Sequence, residues 1–280
     1  MLIDLHTHST VSDGTQAPGA VVAAAAEAGV DVLALTDHDA VAGWAEAAEA
    51  AERLGVVFVP GMEISCARDG ISVHLLSYLH DPTAEPLAAT VQRARDSRAR
   101  RAKRMVELLS ADVNIDWPFV LEHVGAEATI GRPHIADALV ARGVVRDRTE
   151  AFASMLSSRG RYYVRHYAPD PVEAVQLVVA AGGVPVMAHP AASRRGRVVD
   201  DSVIEEMVGA GLAGLEVDHR DHDESERAHL RELASRWHLL TTGSSDYHGD
   251  GKPNRLGENT TSPEAFEAIE ARATGSSVVR

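Results

Sequence analysis

Cysteine is almost missing from this chain: Cys66 stands alone among 280 residues. No disulfide can form within the chain and no thiolate zinc framework is available, which fits a reducing compartment. No apolar run reaches the length a bilayer requires. The opening "MLIDLHTH" carries acid and histidine where a signal peptide needs a basic start and a longer apolar stretch, so a soluble cytoplasmic protein is expected. Positive charge is also scarce. With 27 Lys and Arg against 41 Asp and Glu, the net charge of −14 excludes a broad duplex nucleic-acid surface, which depends on many cationic contacts to phosphate. A small anionic substrate stays open, because bound divalent cations are missing from that sum and can dominate a local field. Serine loops such as "GSSD" lack the glycine-flanked nucleophile elbow and read as tight turns.

What is present begins with rhythm. "LIDLHTH", "DVLALTDHD" and "VVFVPGMEIS" read as strands, separated by the helical runs "GAVVAAAAEAGV" and "WAEAAEAAERLG" that stop near Gly29 and Gly55. "ISVHLLSYL" adds a strand, and the last third resumes the alternation through "VPVMAH", "LAGLEVDH" and "HLLTTGSSD". Seven strands are predicted, near 2–7, 32–36, 56–60, 71–78, 184–188, 214–217 and 239–243. The alternation implies parallel strands with helices packed outside. Between His80 and Arg165 the rhythm gives way to a mostly helical segment. The expected organisation is therefore an α/β barrel-like domain built from 1–80 and 166–280, with a helical insertion at 81–165.

The fourteen histidines matter by position. Residues two apart on a strand share a face, about 6.5–7 Å from each other, so His6 and His8 can converge on one ion. Asp13 follows them. Asp37, His38 and Asp39 end the second strand, Glu63 follows the third, His74 lies on the fourth, His189 ends the fifth, and Asp246 and His248 follow the last. In parallel α/β folds the C-terminal ends of the strands form the face where ligands bind. Mixed imidazole and carboxylate donors without thiolate suit Zn²⁺, Mn²⁺ or Fe²⁺, and there are too many donors for a single ion. Asp37 and Asp39 read better as turn or capping residues. His189, before Pro190, has the alternative of merely ending a strand. His80, His123, His166, His219, His222, His229 and His238 are expected at the surface.

Together "DLHTHSTVSDG", "ALTDHD", "PGMEIS", "VHLLSY", "GRPHIADAL", "MAHP" and "SSDYHG" resemble the motifs of the PHP (polymerase and histidinol phosphatase) superfamily, in its small metal-dependent phosphoesterase branch. The resemblance spans nearly the whole chain in order. It implies a distorted (β/α)₇ barrel with three divalent ions. Carried over by position, it implies that His6, His8, Glu63 and Asp246 hold one ion. Glu63 would bridge to a second held by His74 and His134, and Asp13, His38 and His248 would hold a third. His134 enters only through the resemblance; its own sequence context reads as a surface helix start after Pro133. Histidinol-phosphate phosphatases of the superfamily tend to carry histidine at the place of Asp13, so the aspartate favours the nucleotide-directed branch.

The implied activity is phosphomonoester hydrolysis by a hydroxide shared between two ions. The favoured substrate is a nucleoside 3′,5′-bisphosphate losing its 3′-phosphate, with trimming of short RNA from a 5′-phosphorylated end as a further activity. AMP and histidinol phosphate are the alternatives. Arg132 is the first candidate for a phosphate clamp and Arg161 the second, since guanidinium matches phosphate bidentately. Tyr162 and Tyr163 are placed to stack on a base, and His189 to bind phosphate or protonate the leaving group. Between Arg93 and Arg104 seven cations fall in twelve residues, of which Arg98 or Arg101 could face the site and bind a second phosphate. Two other classes compete: an amidohydrolase, which would need a strand-end lysine where the chain has only Lys103 and Lys252, and a non-catalytic metal- or nucleotide-binding module.

Overall fold

Seven strands form one sheet in chain order in the computed structural model, which describes residues 1–124, 128–157 and 159–280. They are β1 (Ile3–Asp4), β2 (Val32–Leu35), β3 (Val57–Arg68), β4 (Ile71–Tyr78), β5 (Val184–Ala188), β6 (Gly214–Asp218) and β7 (Leu240–Gly243). The sheet curls into a nearly closed barrel. Past β1, Thr7 bridges Tyr247 in the parallel sense, and the His8 N–H donates to the Tyr247 carbonyl at 2.8 Å. Every residue of β2 is buried because alternate side chains enter different layers. Val32 and Ala34 join the barrel interior with Ile3, Leu5, Val59 and Val186. Leu33 and Leu35 pack outward with Val22, Ala47 and Ala50, which belong to α1 (Pro18–Glu27) and α2 (Trp44–Leu54).

The expectation of uniformly parallel strands is corrected at β4, which is antiparallel to both β3 and β5. The cause is local. Asp69 and Gly70 connect β3 to β4 with φ of 52° and 75°, the left-handed pair that a two-residue hairpin turn requires. No crossover helix fits there, so the chain folds straight back. β3 is also longer than its predicted span, because "PGMEIS" continues the strand and pairs with β4 through Arg68.

The segment after β4 carries α3 (Glu85–Leu109), α4 (Trp117–Leu121), α5 (Arg132–Ala141) and α6 (Arg148–Ala153). These helices share an apolar cluster that includes Met105, Leu109, Ile135, Leu139 and Leu156. α7 (Pro171–Ala180), α8 (Asp201–Gly209), α9 (Glu224–Trp237) and α10 (Pro263–Arg272) complete the chain. Among the described residues no helix is long and apolar enough to cross a membrane.

Candidate metal centre

The strand ends deliver their polar residues to one rim. His6 and His8 follow β1, and their Nε2 atoms lie 3.1 Å apart. Glu63 Oε2 approaches them at 3.1 and 3.0 Å, and Asp246 Oδ1 lies 3.5 Å from each. This is the first expected ligand group, and its spacing suits four donors around an ion with bonds of about 2.0–2.2 Å. Asp13 Oδ1 meets His248 Nε2 at 3.1 Å, and Asp13 Oδ2 meets His38 Nε2 at 4.0 Å. These three are the third expected group, and the structure places His8 within reach of the same point.

The second group differs from the one the resemblance implies. Glu63 Oε1 meets His74 Nδ1 at 2.8 Å and His189 Nε2 at 3.1 Å, and His38 Nδ1 lies 3.3 Å from Glu63 Oε2. The structure brings His189 into this cluster and does not bring His134. The His134 Nδ1 instead accepts from the Gly131 N–H at 3.1 Å, and the Ser12 backbone lies near its ring. The reversal of β4 explains the company of His74: it pairs with Ser65 of β3 and Ala188 of β5, one residue before His189.

The nitrogen atoms themselves test whether these residues fit cations. His38 Nδ1, His74 Nδ1 and His248 Nε2 are buried and make no aligned hydrogen bond, although each lies within 3.3 Å of a carboxylate oxygen. Buried polar atoms are rarely left so. Donors that sit close together but point past one another converge on a common point, which is the arrangement of a metal shell. Imidazole and carboxylate fit Zn²⁺, Mn²⁺ or Fe²⁺ alike.

Electrostatics follow from burial and crowding. Burial pushes His189 down to about 3, aided by the Arg195 guanidinium, and pushes His248 down to about 4 with help from Lys252 and His8. Both are neutral lone-pair donors near pH 7, so His189 is better suited to ligation than to protonating a leaving group. Against its burial, His8 is lifted to about 9 by Asp246, Glu63 and Asp13. Glu63 is buried, yet the surrounding imidazoles hold its carboxyl well below the usual range.

Behind the donors stand residues that sequence reasoning did not single out. Glu216 of β6 accepts from His6 Nδ1 at 3.0 Å and from the His189 N–H at 2.7 Å, the outer contact that fixes an imidazole ligand's tautomer. A carboxylate flanked by Leu215 and Val217 in "GLEVD" was its available signal. The outer oxygen of Asp246 takes Arg195 at 2.6 Å and Lys252 at 2.9 Å, leaving Oδ1 to face the histidines. His219, expected at the surface, is fully buried 3.5 Å from the same outer oxygen. His80 and His222 are buried as well, because their imidazoles bond backbone carbonyls of Ser77 and Val217 inside the fold. Asp37 and Asp39 do serve turns: Asp37 accepts from Ser9 and Ser12, and Asp39 from the Ser65 N–H. Asp39, His189 and Asp246 hold positive φ of 51°, 31° and 54°, a strain that clusters at functional sites.

Beside the rim lies a group of cations. Arg98 bonds Asp39 at 3.0 Å and also Ser65. Arg101 meets His166, and Arg132 donates to the Leu156 carbonyl while lying over the Phe152 and Tyr163 rings. Burial, together with Arg98 and Arg132, pushes Arg101 down to about 9. Arg161 is directed elsewhere, to Asp112 and Tyr162. Tyr162 itself is buried in the apolar cluster of the insertion, so it is not free to stack on a base.

Comparison with known proteins identifies relatives over nearly the whole chain. The PHP domain profile matches residues 4–142. A 3′,5′-nucleoside bisphosphate phosphatase from Chromobacterium violaceum is 35% identical over 90% of this chain and 89% of its own length. A phosphoribosyl 1,2-cyclic phosphate 1,2-diphosphodiesterase from Eggerthella lenta is 35% identical over 89% of this chain and 95% of its own. A crystal structure from Bifidobacterium adolescentis, described as a candidate metal-dependent phosphoesterase, superposes with a TM-score of 0.95 at 43% identity. It covers 97% of this chain and 96% of that one.

Proposed function

The chain belongs to the PHP domain family and is a metal-dependent phosphoesterase, and from that premise we propose that it removes the 3′-phosphate of nucleoside 3′,5′-bisphosphates using three divalent ions. The observation that carries the substrate choice is the group of buried Arg98 and Arg101 with half-buried Arg132 next to the rim. Arg98 and Arg101 each keep a buried Nε without a hydrogen-bond partner. The group adjoins the N-terminus of α5, where a Cβ on Gly131 would lie 3.2 Å from Arg98 Nη2. Guanidinium groups and a helix N-terminus are two independent attractions for phosphate. A substrate with two phosphates uses both the rim and this group; AMP or histidinol phosphate would use one.

The ions, when bound, activate water near neutral pH and neutralise the phosphoryl oxygens. His6, His8, Glu63 and Asp246 would hold one, Glu63, His74 and His189 a second, and Asp13, His38 and His248 a third. Glu63, with an oxygen toward each of two groups, would tie them together. The helical insertion acts as the cap that presents Arg98, Arg101 and Arg132 to the second phosphate, and short RNA with a 5′-phosphate fits the same pair of anion sites. Arg161, salt-bridged at the insertion's surface, has no part in this assignment.

The test is a panel of 3′-phosphoadenosine 5′-phosphate, AMP, histidinol phosphate and p-nitrophenyl phosphate with wild type and Arg101→Met. The bisphosphate should be turned over most efficiently. Loss of one charge-assisted contact, about 1.5–3 kcal/mol, should raise its KM roughly 10- to 100-fold while p-nitrophenyl phosphate hydrolysis changes little. Fast turnover of histidinol phosphate alone contradicts the proposal, and so does equal loss on both substrates.

A further inference from the structure

The loop after β1, the loop that carries Asp13, is held by the helical insertion at two points. The Val11 carbonyl accepts the Thr129 N–H at 2.9 Å. The Asp13 carbonyl accepts Arg148 Nη1 at 3.2 Å, and between them the Ser12 backbone lies near the His134 ring. Arg148 is itself fixed by a bidentate pair with Asp137, at 2.6 and 2.7 Å, and Asp137 sits one turn beyond His134 on α5. Against the other side of the guanidinium packs Gly251, where an added Cβ would lie 2.5 Å from Arg148 Nη1. The Gly251 N–H bonds the carbonyl of His248. One guanidinium thus touches the Asp13 loop, the insertion, and the segment that carries His248.

The opposite face of the same loop is tied to the barrel. Asp37 accepts from the Ser9 N–H, the Ser9 hydroxyl and the Ser12 hydroxyl, and Gly14 packs so closely on the His8 carbonyl that a Cβ there would lie 2.5 Å from it. Between these two clamps the Asp13 carboxylate faces His248, His38 and His8.

We infer that Arg148 is a positioning residue for the third metal position: held by Asp137, it locks the Asp13 backbone so that Asp13 and His248 face each other, and the insertion thereby completes a site that the barrel alone leaves loose. This rests on Asp13, His38 and His248 binding an ion. Outer-shell partners of metal ligands are worth on the order of 10- to 100-fold in affinity, and Arg148 acts at that distance, through the ligand's backbone.

The experiment counts Mn²⁺ per chain by elemental analysis after desalting and follows stepwise binding calorimetrically, in wild type, Arg148→Met, Arg148→Lys and Asp13→Asn. The expected result is that Arg148→Met weakens the third ion about 10- to 100-fold, leaves the other two unchanged, and speeds amide exchange in residues 9–16. Arg148→Lys, which keeps the charge but not the fork, should fall between and serves if the Met variant folds poorly. Adding Arg148→Met to Asp13→Asn should cost no further metal. A wild type with three ions and an Arg148→Met variant that keeps all three at unchanged affinity overturns the inference alone. A wild type that binds fewer than three overturns it together with the three-ion reading.

Discussion

Glu63 divides its two oxygens between two sets of imidazoles, with Oε2 toward His6, His8 and His38 and Oε1 toward His74 and His189. A carboxylate so placed couples two ion positions, so Glu63→Gln should lower metal content by two ions and abolish turnover, whereas Asp13→Asn should lower it by one. His189 and His134 offer a sharper comparison. His189→Ala should lose the ion at the Glu63–His74 position, while His134→Ala should leave it occupied, both read from metal content after desalting. Glu216→Gln tests the outer contact on His6: metal affinity should fall about 10- to 100-fold with the fold intact. Protons compete for the same donors. Because His8 is raised to about 9, it is protonated at pH 7 in the metal-free protein and must lose that proton to bind an ion. Affinity should therefore rise with pH by roughly tenfold per unit for each proton displaced. Calorimetry in buffers of different ionisation enthalpy would reveal the released proton; pH-independent affinity would contradict it.

At the level of elements, the β3–β4 hairpin shows where sequence and structure part. The strand at 71–78 was legible from its apolar alternation, but its direction was not, since that depends on a two-residue turn whose Asp69–Gly70 signal is local and short. Its conformational demand is measurable. Gly70→Ala places a Cβ at φ 75° in open space, so the cost is backbone strain alone, about 1 kcal/mol, visible as a lower denaturant midpoint with unchanged slope. The HxH after β1, the DH after β2 and the DxH after β7 could be read directly because each falls just past the C-terminal end of a strand, the rim where ligands bind. His134 could not be resolved that way. It lies at the start of α5, and its role depends on whether a loop from about 120 residues earlier in the chain lies against its ring. Glu216, His219 and Arg195 escaped for the same reason: their partners are distant in sequence, and burial of a charged residue is a tertiary fact.

Across the whole molecule, an acidic chain of net charge −14 gathers buried carboxylates and imidazoles at one end of its barrel and cations beside them. Ions that bind the folded chain and not the unfolded one stabilise it by about 2.7 kcal/mol per site at a hundredfold excess over Kd. For a chain of this size, stripping with a chelator should lower Tm by about 5 °C or more, and Mn²⁺ should restore it. The most direct test of the central claim is anomalous diffraction from Mn²⁺-loaded crystals. The expected map has three peaks on the rim, with Glu63 between two of them, His189 beside His74 at the second, and His134 near the Ser12 backbone. Peaks elsewhere, or none among His6, His8, Glu63 and Asp246, would contradict it.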